Sequence, residues 1–145
     1  MADQPVLSQL NVIVRDMDAT LAFYRGLGFV IDAEPGASHV ELPLANGLVV
    51  EFDDAGSVAM WDSGWPGSTG GSIVLGVALL SRAAVDAAYA EITAAGQAGR
   101  QPPFDAFWGS RYAIVEDPDG NPVGLMSPRE DAWKTWPPAP PPRAS

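Results

Sequence analysis

Trp108, Ser110, Tyr112 and Ile114 alternate along a stretch rich in aromatic and β-branched residues, so they share one face of a predicted strand. Two large rings two pleats apart make a surface on which a flat molecule can stack. Trp61 and Trp65 fall in a long connection, Asp54 to Gly71, that also holds Gly and Ser. Such loops are usually functional or flexible, and two indoles there must be buried or serve a ligand. Glu51 sits on a predicted strand as an acceptor for ligand N–H groups, as a counter-ion for a cation, or as a strand-end acid facing water. His39, the single histidine, stands beside Glu41 and reads as a surface or dimer-contact residue before a ligand group. The acid pairs Asp53-Asp54 and Glu116-Asp117 invite an acid–base reading. Turn chemistry accounts for the second pair, and nothing in the sequence raises a pKa in the first. Gly70-Gly71 lacks the helix start with Lys or Ser/Thr that a phosphate loop needs.

The elements that must hold these residues recur in a doubled pattern. Leu7 to Arg15 is a predicted strand, with Asp16 or Asp18 capping a helix that Gly26 or Gly28 ends. Phe29 to Ala33, His39 to Leu44 and Leu48 to Asp53 follow as strands, the last two joined by an Asn46-Gly47 turn. Ser72 to Leu79 then begins the pattern again. Ser81 caps a helix with Val85, Ala88, Tyr89, Ile92 and Ala95 at helical spacing, and Gly96 stops it. A short strand at Gln101 to Phe104 precedes a hairpin over Trp108 to Met126. Its turn is Asp117-Pro118-Asp119-Gly120, where Pro118 presets φ and Gly120 accepts a positive φ. Both halves therefore read strand, helix, then three strands, an α+β organisation.

Bulk properties narrow the function classes. With 145 residues the chain suits one domain or two small packed halves. A net charge of −10 argues against nucleic acid, which needs a basic face, and mildly favours cationic ligands. The absence of cysteine removes disulfides, thiolate metal sites and cysteine nucleophiles. The amino-terminal residues have no signal-peptide pattern, and no apolar run is long enough to span a bilayer, so a cytoplasmic location is expected. After Ser127 the chain turns to Trp133, Trp136 and PPAPPPRAS, a proline-rich tail expected to be extended or flexible.

The motifs VRDMDATLAFYRGLGF and YAIVEDPDGNPVGL, set in this doubled pattern, resemble the vicinal oxygen chelate superfamily, the group of glyoxalase I, extradiol dioxygenases and bleomycin-resistance proteins. The resemblance covers Leu7 to about Pro128. It implies paired βαβββ modules, about 6–54 and 72–128, in a single domain over 1–128, with open cup-shaped mixed sheets, helices outside, and commonly a homodimer. The tail over 129–145 lies outside it. Metal enzymes of the superfamily place ligands at points that match Gln9, Glu51, Ser72 and Gly124. Serine is a poor ligand and glycine offers no side chain, so no metal site and no cofactor are expected. The segments WPGSTGGSI, VDAAYAEITAAG and AFWGSRYAIVEDPDGNPVGLMSP resemble the metal-free branch that includes the mitomycin-binding resistance protein. There the ligand is stacked between aromatic side chains without chemistry. Position by position, that resemblance implies Trp65, Trp108 and Tyr112 as stacking rings and Trp61 as a fourth.

Aromatic residues on a strand are also ordinary core. The polar company of these two decides for a site: the inferred inner face also holds Gln9, Asn11, Glu51, Asp53, Ser72 and Gly124, too polar for a dry core. The opposite face, including Val12, Val14, Phe52, Ile73 and Leu125, suits packing under helices. The sequence therefore points to sequestration of a small aromatic or heterocyclic compound, of the mitomycin or bleomycin type, by Trp108, Tyr112, Trp65, Trp61, Glu51, Ser72 and His39. The alternative is a glyoxalase-like lyase or isomerase with an atypical or metal-independent site.

Overall fold

The computed structural model describes residues 7, 9–63, 65–71 and 73–143. The chain divides into two compact units, one ending at Thr69 and the other starting at Gly70. Each carries its own sheet, giving the α+β class.

In the first unit β1 (Gln9–Val14) leads into α1 (Met17–Gly26), followed by β2 (His39–Pro43) and β3 (Val49–Asp54). The sheet order is β1-β3-β2, with β3 parallel to β1 and antiparallel to β2. Asp16 starts the helix: its Oδ1 accepts from the Ala19 N–H at 3.0 Å. Leu21, Phe23 and Tyr24 on α1 are buried, as are Val12, Val14, Val40, Leu42 and Phe52 on the strands. The period-2 alternation of each strand thus places one row in the core and leaves the other row as the polar face. The Asn46-Gly47 turn forms as its sequence predicts, with Gly47 at φ +89°.

Phe29 to Ala33 is not a strand. The segment is apolar enough for one, and Ile31 is buried while Val30 is 84% exposed. The Ile31 carbonyl, however, accepts from Arg25 Nε at 3.1 Å and from Arg25 Nη2. A side chain takes the acceptor that a ladder would use, so the module closes with three strands instead of four.

In the second unit β4 (Leu75–Ala78), α2 (Arg82–Ala94), β5 (Gly99–Asp105), β6 (Arg111–Glu116) and β7 (Pro122–Met126) follow in turn. The sheet order is β4-β7-β6-β5, with only the β4–β7 pair parallel. Ser81 Oγ accepts from the Ala84 N–H at 3.0 Å, the expected cap. Val85 and Ile92 of α2 are buried together with Ala113, Val115, Val123 and Leu125. Arg111 shares their parity, and its guanidinium pairs with Asp86 on α2 and with Asp105. The β6–β7 turn is held by Asp117, whose Oδ1 accepts from the Asp119 and Asn121 N–H groups at 3.0 and 2.8 Å. Ile73, expected on the covered face, is 69% exposed, because the strand begins only at Leu75.

Candidate functional site

On the second sheet, the row opposite the α2-facing core carries Tyr112, which is paired across the ladder with Phe104 on one side and Met126 on the other. Trp108 precedes the strand, and Gly109 at φ +100° turns the chain between them. The two rings meet nonetheless, at 5.3 Å between centroids and 71° between planes. They are therefore edge to face and do not form parallel plates. Phe104 meets both rings edge-on, at 6.5 Å from Trp108 and 6.3 Å from Tyr112, and Phe107 lies 5.2 Å from Trp108.

Phe104, Phe107 and Trp108 line a cleft of about 420 Å³ together with tail residues 138–141. That volume is ample for a small planar ligand. Tyr112 stands behind this lining as a support, and burial pushes its phenol pKa up, so at neutral pH it remains a hydrogen-bond donor. The indole Nε1 of Trp108 is buried with no acceptor among the described residues. Phe104 and Phe107 were not singled out by the sequence. Two register shifts in β5 break its alternation, so spacing alone gives no inward face for Phe104. The available signal was the density of rings in FDAFW.

Trp61 and Trp65 belong to the first unit. Trp61 is 51% exposed. Trp65 donates its indole N–H to the Ser68 carbonyl at 3.1 Å, an interaction local to the loop. Ser72 lies outside the described residues.

The polar face of the first sheet gathers Gln9, Asn11, His39, Glu41, Glu51 and Asp53. Register explains why: Asn11 and Glu41 both lie opposite Glu51, and His39 lies opposite Asp53. Asn11 Nδ2 donates to Glu51 Oε2 and to Asp53 Oδ2, each at 2.9 Å, and Gln9 Nε2 donates to Glu51 Oε2 at 3.2 Å. His39 Nδ1 lies 2.7 Å from Oδ1 of the buried Asp53. His39 is thus a paired group on the polar face, with its side chain 45% exposed. The hydrogen bond to Asp53 raises its pKa above the usual 6.5; partial burial opposes this, while Glu41 and Glu51 reinforce it.

Stability supplied by this pair is full below the unfolded-state value near 6.5 and fades as pH rises through the higher folded value. Because His39 is the only histidine, its imidazole proton resonances titrate alone. The expected midpoint lies above 6.5 and falls in Asp53→Asn. A midpoint at or below 6.5 in the unsubstituted protein contradicts the pairing.

Of the positions that the resemblance assigns to a metal, Glu51 offers a carboxylate, Ser72 lies outside the described residues, and Gly124 offers no side chain. Gln9 presents its amide to Glu51. At Gly124 an added Cβ would meet the Tyr112 hydroxyl at 2.7 Å, so that space is already filled by a ring. A different set, His39, Glu51 and Asp53, brings three donor atoms within 4.8 Å of one another. His39 pairs with Asp53, and the two carboxylates accept from the Gln9 and Asn11 carboxamides; with one imidazole against two carboxylates, the same three residues could also hold a metal ion.

A mixed sheet with a parallel first and last strand in each unit, one helix against it and a polar or aromatic opposite face, places the chain in a class. The profile of the Glyoxalase/Bleomycin resistance protein/Dioxygenase superfamily matches residues 6–125, and the chain belongs to that superfamily. Among solved structures it is similar to a glyoxalase/bleomycin resistance protein/dioxygenase from Nocardioides, at 22% identity over 90% of this chain and 88% of that one, TM-score 0.66. It is similar to a glyoxalase-related enzyme from Fulvimarina pelagi, at 20% identity over 86% and 89%, TM-score 0.74. It also resembles a lactoylglutathione lyase from Agrobacterium tumefaciens, at 18% identity over 87% and 96%, TM-score 0.61. At these identities the likeness is one of fold. No curated protein matches the sequence. Among the described residues, no helix is long and apolar enough to cross a membrane.

Proposed function

We propose that the protein binds and sequesters a small, flat aromatic or heterocyclic compound, of the kind represented by mitomycin-type antibiotics, without transforming it. The observation that carries this reading is the cleft of about 420 Å³ lined by Phe104, Phe107 and Trp108. Three stacking contacts of roughly 1–3 kcal/mol each, with a hydrogen bond or two, reach roughly micromolar affinity, about −8 kcal/mol. The net charge of −10 favours a cationic guest over an anionic one. The test is calorimetric titration of the protein with mitomycin C and with the flat cation proflavine. Saturable binding at about one guest per chain supports the reading, and no binding of either compound overturns it.

A second reading rests on the His39–Asp53 pair. A buried carboxylate holding one imidazole nitrogen is how a general base is oriented, so a lyase or isomerase reaction without the usual metal ligands is chemically reasonable. Turnover of the hemithioacetal of methylglyoxal and glutathione, lost in His39→Gln, would favour it. Stoichiometric nickel, zinc or iron in protein purified without chelator would also favour the enzyme.

A further inference from the structure

The carboxyl-terminal segment is fastened to the rest of the second unit before its proline run and at the last proline of that run. Before the run, the Glu130 N–H donates to the Gly109 carbonyl at 3.1 Å, and the Thr135 N–H donates to the Phe107 carbonyl at 3.1 Å. Lys134 forms an isolated antiparallel bridge with Trp108, and the Trp136 ring lies 5.9 Å from Phe107. At the end of the run, Gln101 Nε2 donates to the Pro142 carbonyl at 2.8 Å. Between these fastenings, residues 138–141 line the same cleft as Phe104, Phe107 and Trp108.

A proline run suits such a position. The φ of its prolines is already fixed, so holding them in place sacrifices little chain entropy, and of residues 138–141 only Ala139 has a backbone N–H. Prolyl rings pack on aromatic faces without a ladder of backbone hydrogen bonds, the physics by which aromatic grooves hold extended proline-rich segments. Gln101, on the bulged strand β5, supplies a donor to the carbonyl of Pro142, a residue whose backbone can only accept.

From this we infer that the proline-rich segment is the second wall of the guest site. The guest lies between the aromatic rings and the prolyl rings, and the gap between the two walls sets how thick it may be. The wall therefore selects for flat heteroaromatic compounds over bulkier ones of equal polarity. This inference rests on the binding function proposed above and specifies which residues discriminate among guests.

The test uses the full chain with proflavine as probe. Because the protein has no cysteine, Arg143→Cys gives a single thiol for a nitroxide that reports the mobility of the segment. Two variants release the wall without touching the rings: Gln101→Ala, and the double substitution Pro140→Gly with Pro141→Gly. The expected result is a restricted nitroxide in the otherwise unsubstituted chain, a mobile one in both variants, and proflavine affinity lowered by about tenfold in each. Preference for proflavine over a bulky non-planar cation should narrow in parallel. A mobile nitroxide in the otherwise unsubstituted chain, or unchanged affinity once the nitroxide shows release, overturns the inference while leaving binding by the rings intact. Failure of the unsubstituted protein to bind proflavine or mitomycin C instead removes the binding function, and the wall with it.

Discussion

Replacing Trp108 by alanine is expected to weaken binding of mitomycin C or proflavine by about 10- to 100-fold, while Trp108→Phe retains most of the affinity. The reasoning is geometric. Trp108 is the hub of the cluster: Phe104, Phe107 and Tyr112 all meet its ring edge-on, at 6.5, 5.2 and 5.3 Å. Its loss removes one stacking surface and also frees the neighbours from the orientations that shape the cleft. One ring contact contributes roughly 1–3 kcal/mol, and each 1.4 kcal/mol is about a factor of ten. Phenylalanine restores a π-face in the same place but not the indole N–H, which has no acceptor among the described residues and so is not needed to hold the cluster. Calorimetry is the appropriate measurement. With five tryptophans in the chain, quenching of total fluorescence does not report on Trp108 alone. Thermal midpoints measured alongside separate a lost contact from a lost fold. Undiminished affinity in a folded Trp108→Ala variant would remove this cleft from the binding reading.

What the sequence made legible was local chemistry. Ser81 was readable as a helix cap, and the first cap was narrowed to Asp16 or Asp18, of which the structure uses Asp16, because a cap needs only an oxygen and the next turn of backbone. The Asp117–Gly120 turn was readable for the same reason. What depended on distant partners was not. Phe29 to Ala33 has a strand's composition but loses its acceptor to Arg25, which no pattern within the segment announces. Phe104 escaped notice because the bulges in β5 break the alternation by which an inward row is recognised, and Phe107 because it lies past the end of that strand, where alternation assigns no face. The His39–Asp53 pair is an intermediate case. Counting outward from a two-residue Asn46-Gly47 turn sets His39 opposite Asp54, whereas the actual loop is one residue longer, Leu44 bonds Leu48, and His39 falls opposite Asp53. The two residues were present in the sequence, and only the register joins them. The orientation of Trp108 and Tyr112 lay beyond pattern altogether, since alternation assigns a face but not the angle between rings.

The largest effect on stability is expected for Phe52→Ala, a loss of about 3–5 kcal/mol. Phe52 has no exposed surface and occupies the middle of the central strand of the first sheet, opposite Val12 on one side and Val40 on the other. Above it, the Tyr24 ring of α1 packs at 5.1 Å. Truncation therefore opens a cavity walled by two strands and a helix, and a site enclosed on three sides has little freedom to collapse. That places it toward the upper part of the range for buried phenylalanine. For a chain of this length the change corresponds to a fall in melting temperature of about 10–15 °C. Val30→Ala is the matched control: Val30 is 84% exposed, although it neighbours buried Ile31, and should move stability by no more than about 0.5 kcal/mol. Phe52→Leu, which keeps most of the volume, should fall between the two. Urea unfolding of the three variants supplies the ranking. If Phe52→Ala and Val30→Ala prove equally stable, α1 does not lie on the apolar row of the sheet. The separation of apolar and polar rows, from which the His39–Asp53–Glu51 network follows, would then fail with it.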